Sequence, residues 1–384
     1  MADPQPPLFP ESEQSQDGLA KPSSAPSSGN DRVLLSILAL SSLKGLGKGA
    51  ILGLHRALGG VDKVWEADKS SLESALRRAR VPRYKILAEE IFGKKDSLLE
   101  KGERLRENLS SRNIQFVLGD ELPESLRIIK DPPPWLFVQG DLGALYLRPA
   151  VAVVGTRRPS DKGREAARKV VRMLAAYPVA VVSGLAEGID EEIHAEALEE
   201  GLKNIAFLGH GINIVFPKQT ERLRERIVES GGAIASEYLP DEKYNKAYFV
   251  RRNRLQAALS DLVIPIEAGE RSGTAHTVRF AIEYQKGLVG VGWTGAGGVQ
   301  KLVREAGYPV LPVFSRQGLR QLDRVIQDLV RRAGKNPDPT SRAKKRFLSE
   351  VSSRCLTWED RASLLDALKA FLEEVEEDEC MQNP

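Results

Sequence analysis

The sequence predicts an α/β protein built on a doubly wound, mostly parallel sheet. Two observations support this prediction. Val151–Val154 and Val179–Val182 are apolar, β-branched runs that stop at glycine or serine, as buried parallel strands do. A helical pattern with a charged outer face follows each run, which indicates a repeated strand–helix unit. Because ligands of such sheets bind at the carboxyl ends of the strands, we expect a binding edge there.

Six strands are predicted in strand–helix alternation. The stretches between them, such as Asp161–Ala176 and Glu191–Glu200, carry helical spacing, and this alternation favours one open sheet. The predicted strands are Val151–Val154, Val179–Val182, Ile205–Leu208, Ala233–Ser236, Leu262–Ile266 and Leu288–Val291.

Two shorter strands are predicted upstream, at Ile114–Val117 and Trp135–Val138. Three prolines occupy positions 132–134 directly before the second. Since proline cannot donate to a strand ladder, we expect Trp135–Val138 at an edge of the sheet.

The sheet lies within a chain that divides into four predicted parts. Residues 1–30 are rich in Pro, Ser, Gln and Gly and are expected to form a disordered tail. Residues 31–111 carry a helical pattern, and residues 112–315 hold the sheet. Residues 316–384 are expected to form a helical region with a basic linker and an acidic end, with helices over Leu319–Arg332 and Asp360–Glu374.

A glycine-rich turn, Leu43–Gly49, interrupts the first helical part. Its Gly-x-Gly spacing ends one helix and opens the next. Such a turn can present backbone N–H groups to a phosphate, as helix-hairpin-helix modules do. It can also be a tight corner between two helices, which turn-residue chemistry favours.

Composition restricts the class of protein. The 384 residues include 56 basic and 53 acidic ones, for a formal net charge of +3, so any basic surface must come from local segregation. The two cysteines, Cys355 and Cys380, exclude a disulfide framework and favour a reducing cytoplasm. The four histidines are scattered, so we expect no metal site and no cofactor. No apolar run reaches about 18 residues, so we expect no membrane span.

The residues at the predicted strand ends suit a phosphate-rich ligand. After the first strand, Gly155 would allow a sharp turn, Thr156 could donate to an anion, and Arg157 or Arg158 could grip phosphate bidentately. The Gly-x-Gly-x-x-Gly fingerprint of nicotinamide cofactors is absent here.

Three further segments continue this pattern. Ser183, Gly184 and Gly188 are small residues that permit close approach of a ligand, and Asp190 lies four residues before His194 on the next helix. This Asp–His pair has no obvious nucleophile beside it, so Asp190 is expected to cap the helix and fix the loop. The other candidate ligand contacts, which combine aromatic, basic and hydroxyl side chains, are Phe216, Lys218, Arg251, Arg252, Asn253, Ser272 and Gly273.

In this order, the motifs resemble those of the DprA/Smf family of DNA-processing proteins, over about residues 112–312. The helical part at residues 31–111, called here the helical lead, resembles the family's small SAM-like domain. The segments that carry the resemblance are Gly155–Arg157, Ser183–His194, Gly211–Pro217, Ser236–Tyr238, Phe249–Asn253 and Glu267–Gly273.

The resemblance implies an extended Rossmann-like fold and a bacterial cytosolic protein that is not an enzyme. It implies binding of single-stranded DNA and delivery of that strand to the RecA recombinase during natural transformation or recombination. It also implies a homodimer. The binding pocket that it implies consists of Gly155, Thr156, Arg157, Ser183, Gly184, Gly188, Phe216, Lys218, Arg252 and Asn253.

The chain departs from the family pattern at several positions. Glu187 stands where arginine is usual, Val250 replaces a proline, and Ser272 and Gly273 are followed by threonine instead of serine. A winged-helix domain often follows in the family, whereas this tail is predicted to be helical with an acidic run at residues 373–379. Competition of this tail for the DNA groove is a hypothesis that a truncation tests.

An alternative function is a nucleotide-binding sensor or a nucleotide-processing enzyme on the same fold. Phosphoribohydrolases resembling lysine decarboxylases use a Pro-Gly-Gly-x-Gly-Thr-x-x-Glu loop. The corresponding segment here, Glu267–Thr274, lacks the first glycine pair and the trailing glutamate, which argues against hydrolysis.

Overall fold

The computed structural model describes residues 28–293 and 297–334. The predicted disordered tail lies almost entirely outside these residues, and so do the predicted helix Asp360–Glu374 and the acidic run. Only residues 28–30 of that tail are described, and they begin the first helix instead of being disordered.

The helices of the described residues surround the sheet and also form its helical lead. They are α1 (Ser28–Ser41), α2 (Lys48–Leu58), α3 (Lys69–Arg78), α4 (Tyr84–Gly93), α5 (Lys95–Ser111), α6 (Glu124–Arg127), α7 (Asp161–Leu174), α8 (Ile189–Glu199), α9 (Glu221–Glu229), α10 (Lys246–Leu259), α11 (Gly273–Glu283), α12 (Val299–Glu305) and α13 (Arg316–Arg332).

The strands form one large sheet and one small one. They are β1 (Ile114–Leu118), β2 (Trp135–Gly140), β3 (Ala150–Val154), β4 (Ala180–Ser183), β5 (Lys203–Phe207), β6 (Ala233–Ser236), β7 (Leu262–Pro265), β8 (Gly287–Leu288), β9 (Gly290–Gly292) and β10 (Val310–Pro312).

The large sheet confirms the predicted mostly parallel, doubly wound architecture. Its order is β1-β2-β6-β5-β4-β3-β7-β8. The six strands from β6 to β8 in this order run parallel, and β2 joins β6 antiparallel, as β1 joins β2. The order reverses between β3 and β7, so loops after these strands flank the crevice where such sheets bind ligands.

Two strand predictions were wrong. The predicted strand Leu288–Val291 is divided, because β9 leaves the large sheet and pairs with β10. A Cβ atom at Gly290 or Gly292 would approach Val310 to 2.9 or 2.8 Å, so the glycines let β10 lie close. Trp135–Val138 is not an edge strand: β2 lies between β1 and β6, because the prolines precede the strand and leave its N–H groups free to pair.

The helical lead packs onto the sheet through a shared core. Buried residues of α1–α4 form one cluster with Phe137, Ala206 and Ile234 of strands β2, β5 and β6. The Leu43–Gly49 segment forms the corner between α1 and α2, and Lys48 points inward. Its Nζ lies 2.5 Å from the buried Glu237 carboxylate, which also accepts two hydrogen bonds from Arg254. This ion-paired cluster fastens the lead to the loop after β6.

Candidate functional site

An exposed arginine and a cluster of three aromatic rings meet at the carboxyl edge of the sheet. Arg157 follows β3, and its guanidinium lies 4.6 Å from the ring centroid of Phe249 in the first turn of α10. Phe216, from the loop after β5, lies 5.9 Å from Phe249 between ring centroids. The edge therefore places a cation beside π surfaces, as the sequence predicts for Arg157 and Phe216.

The third ring, Tyr244, was not identified from the sequence. It stacks on Phe216 with 3.7 Å between centroids and 23° between ring planes, and 46% of its area is exposed. Phe216 is itself only partly buried. The aromatic cluster, Phe216, Tyr244 and Phe249, thus offers an outward ring for stacking. Tyr244 lies in an irregular loop, where hydrophobic periodicity gives no signal. An aromatic residue next to a basic one, Lys243, is the local pattern that could have marked it as a nucleic-acid contact.

Two more of the predicted cations are available for a ligand. Arg158 and Lys218 are exposed, and neither side chain forms an ion pair within residues 28–293 and 297–334. The Arg158 backbone N–H donates to Thr156 Oγ1, which holds the turn after β3. The edge around the aromatic cluster therefore carries positive charge that the described part of the protein does not neutralise.

The predicted glycines provide space for close packing of the loops. A Cβ at Gly155 would lie 2.6 Å from the Ile189 side chain, and one at Gly184 would lie within 2.5 Å of the Arg252 guanidinium. Gly155 does not have positive φ, so glycine is required there by the close approach of Ile189 and not by a left-handed backbone. Gly188 alone among these three has φ +84° and lies against the Thr156 carbonyl.

The expectation that Ser183, Arg252 and Asn253 contact the ligand directly does not fit their burial. They are 0%, 3% and 9% exposed. Ser183 Oγ donates to the Val153 carbonyl at 2.8 Å. Arg252 donates to the Gly184 carbonyl at 2.6 Å and to that of Phe207. From buried positions, these side chains fix the loops after β4 and β5 by hydrogen bonds to backbone carbonyls.

Asn253 and Arg252 also connect the loops across the sheet. Asn253 Nδ2 donates to the Gly273 carbonyl at 3.0 Å, which links α10 to the start of α11. Burial lowers the pKa of Arg252 to about 10, opposed by the charge of Asp190. The guanidinium is therefore charged at neutral pH and leaves a buried cation beneath the site.

Ser272 and Gly273 lie where the loop after β7 meets α11, and β7 is the strand that pairs with β3. Ser272 caps α11 by accepting from the Ala275 N–H, and no atom outside the immediate chain lies within 4 Å of a Cβ built at Gly273. Ser272 is thus partly used in capping, while Gly273 leaves the helix start open to a ligand.

The start of α7, by contrast, does not provide the anion site that the sequence suggested. Glu267 from the end of β7 already accepts from the Ser160 N–H at 2.9 Å and from its hydroxyl at 3.0 Å. An internal carboxylate therefore occupies this amino end, and a bound anion must be met by the arginine side chains of the preceding turn.

Arg251 faces away from the aromatic cluster toward acidic partners. Its guanidinium lies 3.0 Å from Asp131 and 3.9 Å from Glu237. Because its charge is already paired, Arg251 is a weaker candidate for phosphate contact than Arg157 or Lys218.

One acidic side chain lies directly in the site. Glu187 is exposed and lines a small pocket together with Arg157, Phe216 and Phe249. It places a negative charge where an anionic ligand would approach the arginine. This position is the one at which the sequence departs from the family's arginine.

The Asp190–His194 pair has structural partners. Asp190 is held by the Ser183 hydroxyl and the Gly155 and Ala186 N–H groups, and burial raises its pKa despite the charge of Arg252. His194 Nδ1 lies 2.9 Å from Asn204 Oδ1, and burial lowers its pKa to about 4. Asp190 fixes the loop as expected, but the expectation that it caps the helix is wrong, because the N-cap of α8 is Gly188 and no side chain caps this end. Neither Asp190 nor His194 is placed to accept a proton from a substrate at the surface.

Neither a metal site nor a membrane span is present in the described residues. They contain no group of His, Cys, Asp and Glu side chains that could hold a metal ion. None of their helices is both long enough and apolar enough to span a bilayer.

Comparison with known proteins gives a consistent result. The sequence model of the family described as DNA recombination-mediator protein A matches residues 113–306. Protein Smf of Synechocystis is 33% identical over 254 residues, 65% of this chain and 62% of that protein. DNA processing protein DprA of Streptococcus pneumoniae is 41% identical over 167 residues, 44% of this chain and 58% of that protein. The chain thus spans about six tenths of the length of these two relatives.

Two solved structures are also similar. DNA processing protein A of Helicobacter pylori, described for its single-stranded DNA binding mode, is 29% identical with a TM-score of 0.50, covering 57% of this chain and 99% of that one. DprA of Streptococcus pneumoniae is 27% identical with a TM-score of 0.54, covering 76% of this chain and 97% of that one.

Proposed function

Because this chain belongs to the DNA recombination-mediator protein A family, we propose that it binds single-stranded DNA at the carboxyl edge of its sheet. It then protects the strand and delivers it to the RecA recombinase during DNA uptake or recombination. A similar protein from Helicobacter pylori is described as binding single-stranded DNA, which supports the ligand class.

One observation carries the proposal: Arg157 is exposed, lies over the Phe249 ring of the aromatic cluster, and forms no ion pair with any residue of 28–293 or 297–334. Arg157 would hold a phosphate while its aliphatic and π contacts keep it near Phe249. A base would stack on the exposed face of Tyr244, since stacking on aromatic rings accepts every base. Arg158 and Lys218 would hold neighbouring phosphates, with Gly273 at the open start of α11. Ser183, Arg252 and Asn253 would fix the loops that present these groups.

The proposal is tested by fluorescence anisotropy of labelled oligo-dT over a salt series, with a matched duplex. Contacts to phosphates release counterions, so log Kd should change with log salt by about 0.7 for each phosphate neutralised on a single strand. Arg157→Ala and Lys218→Ala should each weaken binding and make the slope shallower. Arg320→Ala, an exposed arginine on α13 outside the proposed site, serves as the matched charge control. Equal binding by all four proteins at every salt concentration would refute the site.

Delivery to RecA, self-association as a homodimer and a cytoplasmic location are parts of the same proposal. Delivery to RecA is tested by measuring ATP hydrolysis by RecA on a strand covered with a single-strand-binding protein. The wild-type protein should shorten the lag before hydrolysis, and Arg157→Ala should not. If the wild-type protein binds the strand but leaves the lag unchanged, the proposal reduces to strand binding alone.

The alternative enzyme function has less support. Glu267, the first of two acidic residues in the loop after β7, is already used in hydrogen bonds to Ser160. Incubation of nucleoside monophosphates with the protein should therefore release no free base. If wild type releases free base and Glu267→Gln does not, the protein is a nucleotide-processing enzyme, which contradicts our proposal.

A further inference from the structure

A second feature lies next to the aromatic cluster, between the helical lead and the loop after β6. It is a groove of about 800 Å³. The corner between α1 and α2, Ser41–Gly47, forms one wall, and Asp241–Lys243 forms the other. Lys101, Arg104 and Leu105 of α5 complete it. We call it the basic groove.

The charge of the basic groove is positive and largely uncompensated. Lys44, Lys101 and Lys243 are exposed, and none of the three forms a salt bridge with any residue in the parts of the chain that the structure describes. Arg104 pairs only with Glu100 of its own helix, at 2.5 Å. Three lysines therefore face a groove without an ionic partner.

The two carboxylates in the groove wall are engaged by neighbouring groups. Asn213 donates to Asp241 at 2.9 Å. Glu242 accepts from the Leu239 N–H at 3.0 Å and from the Tyr248 hydroxyl at 2.6 Å. These hydrogen bonds fix the two carboxylates without neutralising them. The lining holds four basic and two acidic side chains, so the groove keeps a net positive charge.

The basic groove continues directly from the aromatic cluster. Lys243 in its wall precedes Tyr244, whose ring stacks on Phe216. A strand that stacks a base on Tyr244 would thus have Lys243 beside its next phosphate. On the opposite wall, Gly45 and Gly47 have no side chains that could obstruct the entrance, and nothing lies within 4 Å of a Cβ built at Gly47.

We infer that the basic groove is the second half of one continuous binding path for single-stranded DNA. This inference rests on the proposed function. The first few nucleotides lie between Arg157, Lys218 and Tyr244, and the following phosphates lie along Lys243, Lys44 and Lys101. The contacts are with the backbone, so this half of the path binds any sequence. The helical lead is then part of the binding surface and not only a support for the sheet.

The test uses the full chain and two oligo-dT lengths, about 6 and about 20 nucleotides, which bracket much of the range of roughly 4–16 nucleotides found for single OB folds. The variant is the triple substitution Lys44→Gln, Lys101→Gln and Lys243→Gln. The matched control is Arg56→Gln, Lys85→Gln and Arg320→Gln, which removes three exposed charges outside the groove. Circular dichroism verifies that both triple variants fold.

We expect the groove variant to bind the short strand only about 2- to 3-fold more weakly than wild type, because a short strand that stacks on Tyr244 reaches Lys243 but neither Lys44 nor Lys101. Its affinity for the long strand should fall roughly 10- to 50-fold near physiological salt, with a slope shallower by about 2. The control variant should match wild type for both strands. Equal long-strand affinity of the groove variant and wild type would overturn the inference while leaving the proposed function intact. Absence of short-strand binding in wild type, or short-strand binding unaffected by Arg157→Ala, would refute the proposed function and with it the continuous path.

Discussion

The guanidinium carbon of Arg157 lies 4.6 Å from the centroid of the Phe249 ring. This contact joins the turn after β3 to the first turn of α10, across the loops of β4 and β5. A cation–π contact at an exposed position contributes about 0.5–1 kcal/mol, enough to favour one orientation of the side chain. Arg157 is thereby held at the surface, next to the stacked pair Phe216 and Tyr244.

Removing the ring of Phe249 should therefore weaken DNA binding through Arg157. We expect Phe249→Leu to raise the Kd for oligo-dT about 2- to 5-fold, the equivalent of the cation–π contribution, and Arg157→Ala to raise it further. Phe314 provides a matched control, because its ring lies 5.8 Å from Lys169 Nζ in another part of the fold. If Phe314→Leu weakens binding as much as Phe249→Leu does, the contact has no specific role.

Glu187 should reduce the affinity of the natural site. It lines the pocket of Arg157 and Phe216, so its charge repels an approaching phosphate. Glu187→Gln should strengthen binding, and Glu187→Arg should strengthen it more, by roughly 3- to 5-fold for one added phosphate contact. Anisotropy titrations at two salt concentrations measure both. Glu229→Gln, at the end of α9, is the control and should leave binding unchanged; weaker binding by Glu187→Arg would mean that the DNA does not pass this pocket.

The cluster around Glu237 should make stability dependent on acidic pH. Burial alone would raise the pKa of Glu237, but hydrogen bonds and charges from Arg254 and Lys48 outweigh burial and lower it to about 2. Because this pKa is depressed in the folded state, the stabilisation is present above the unfolded value of about 4.3 and is lost as pH falls toward about 2. The shift corresponds to about 3 kcal/mol.

Urea unfolding of wild type and Glu237→Gln measures this contribution. The variant should be less stable by several kcal/mol at pH 7, since Arg254 and Lys48 lose their partner. The difference between the two proteins should shrink as pH is lowered from about 5 to about 3. A difference that stays constant over this range would show that folding does not lower the pKa of Glu237.

The sequence predicted which edge of the sheet carries the candidate site but not the side chains that form its surface. Gly155, Gly184 and Gly188 follow buried strands, and this local pattern suffices to predict the edge. Arg252 could not be distinguished from Arg251 in the same way. Helix α10 crosses from β6 to β7 over three intervening strands, so its residues from Arg252 to Leu259 are buried. Which arginine is covered depends on that crossover and not on local spacing.

Contacts between residues far apart in the chain could not be predicted from the sequence either. Lys48 seemed part of a glycine-rich phosphate turn, yet it reaches Glu237, 189 positions later. Glu267 occupies the start of α7 because β7 lies next to β3. Both pairings follow from sheet order, which a single sequence constrains only loosely.

The acidic C-terminal run offers a further prediction, although it lies outside the described residues. Six of residues 373–379 are Asp or Glu, and a run of negative charge would compete with DNA for a basic surface. A chain that ends after Gly334 retains α13 and should bind oligo-dT more tightly at low salt. Full-length protein with the acidic residues replaced by Gln should behave the same way. Unchanged affinity in both proteins would exclude competition by the tail.

The central claim, that single-stranded DNA lies on the aromatic cluster, is tested most directly by photochemical cross-linking. Oligo-dT carrying 5-iodouracil is bound to the full-length protein and irradiated, and the attached residue is identified by peptide mass spectrometry. The account predicts cross-links to Tyr244, with Phe216 and Phe249 as lesser products, and their loss at high salt. Cross-links confined to aromatic residues elsewhere, such as Phe92 on α4 or Phe314, would contradict it.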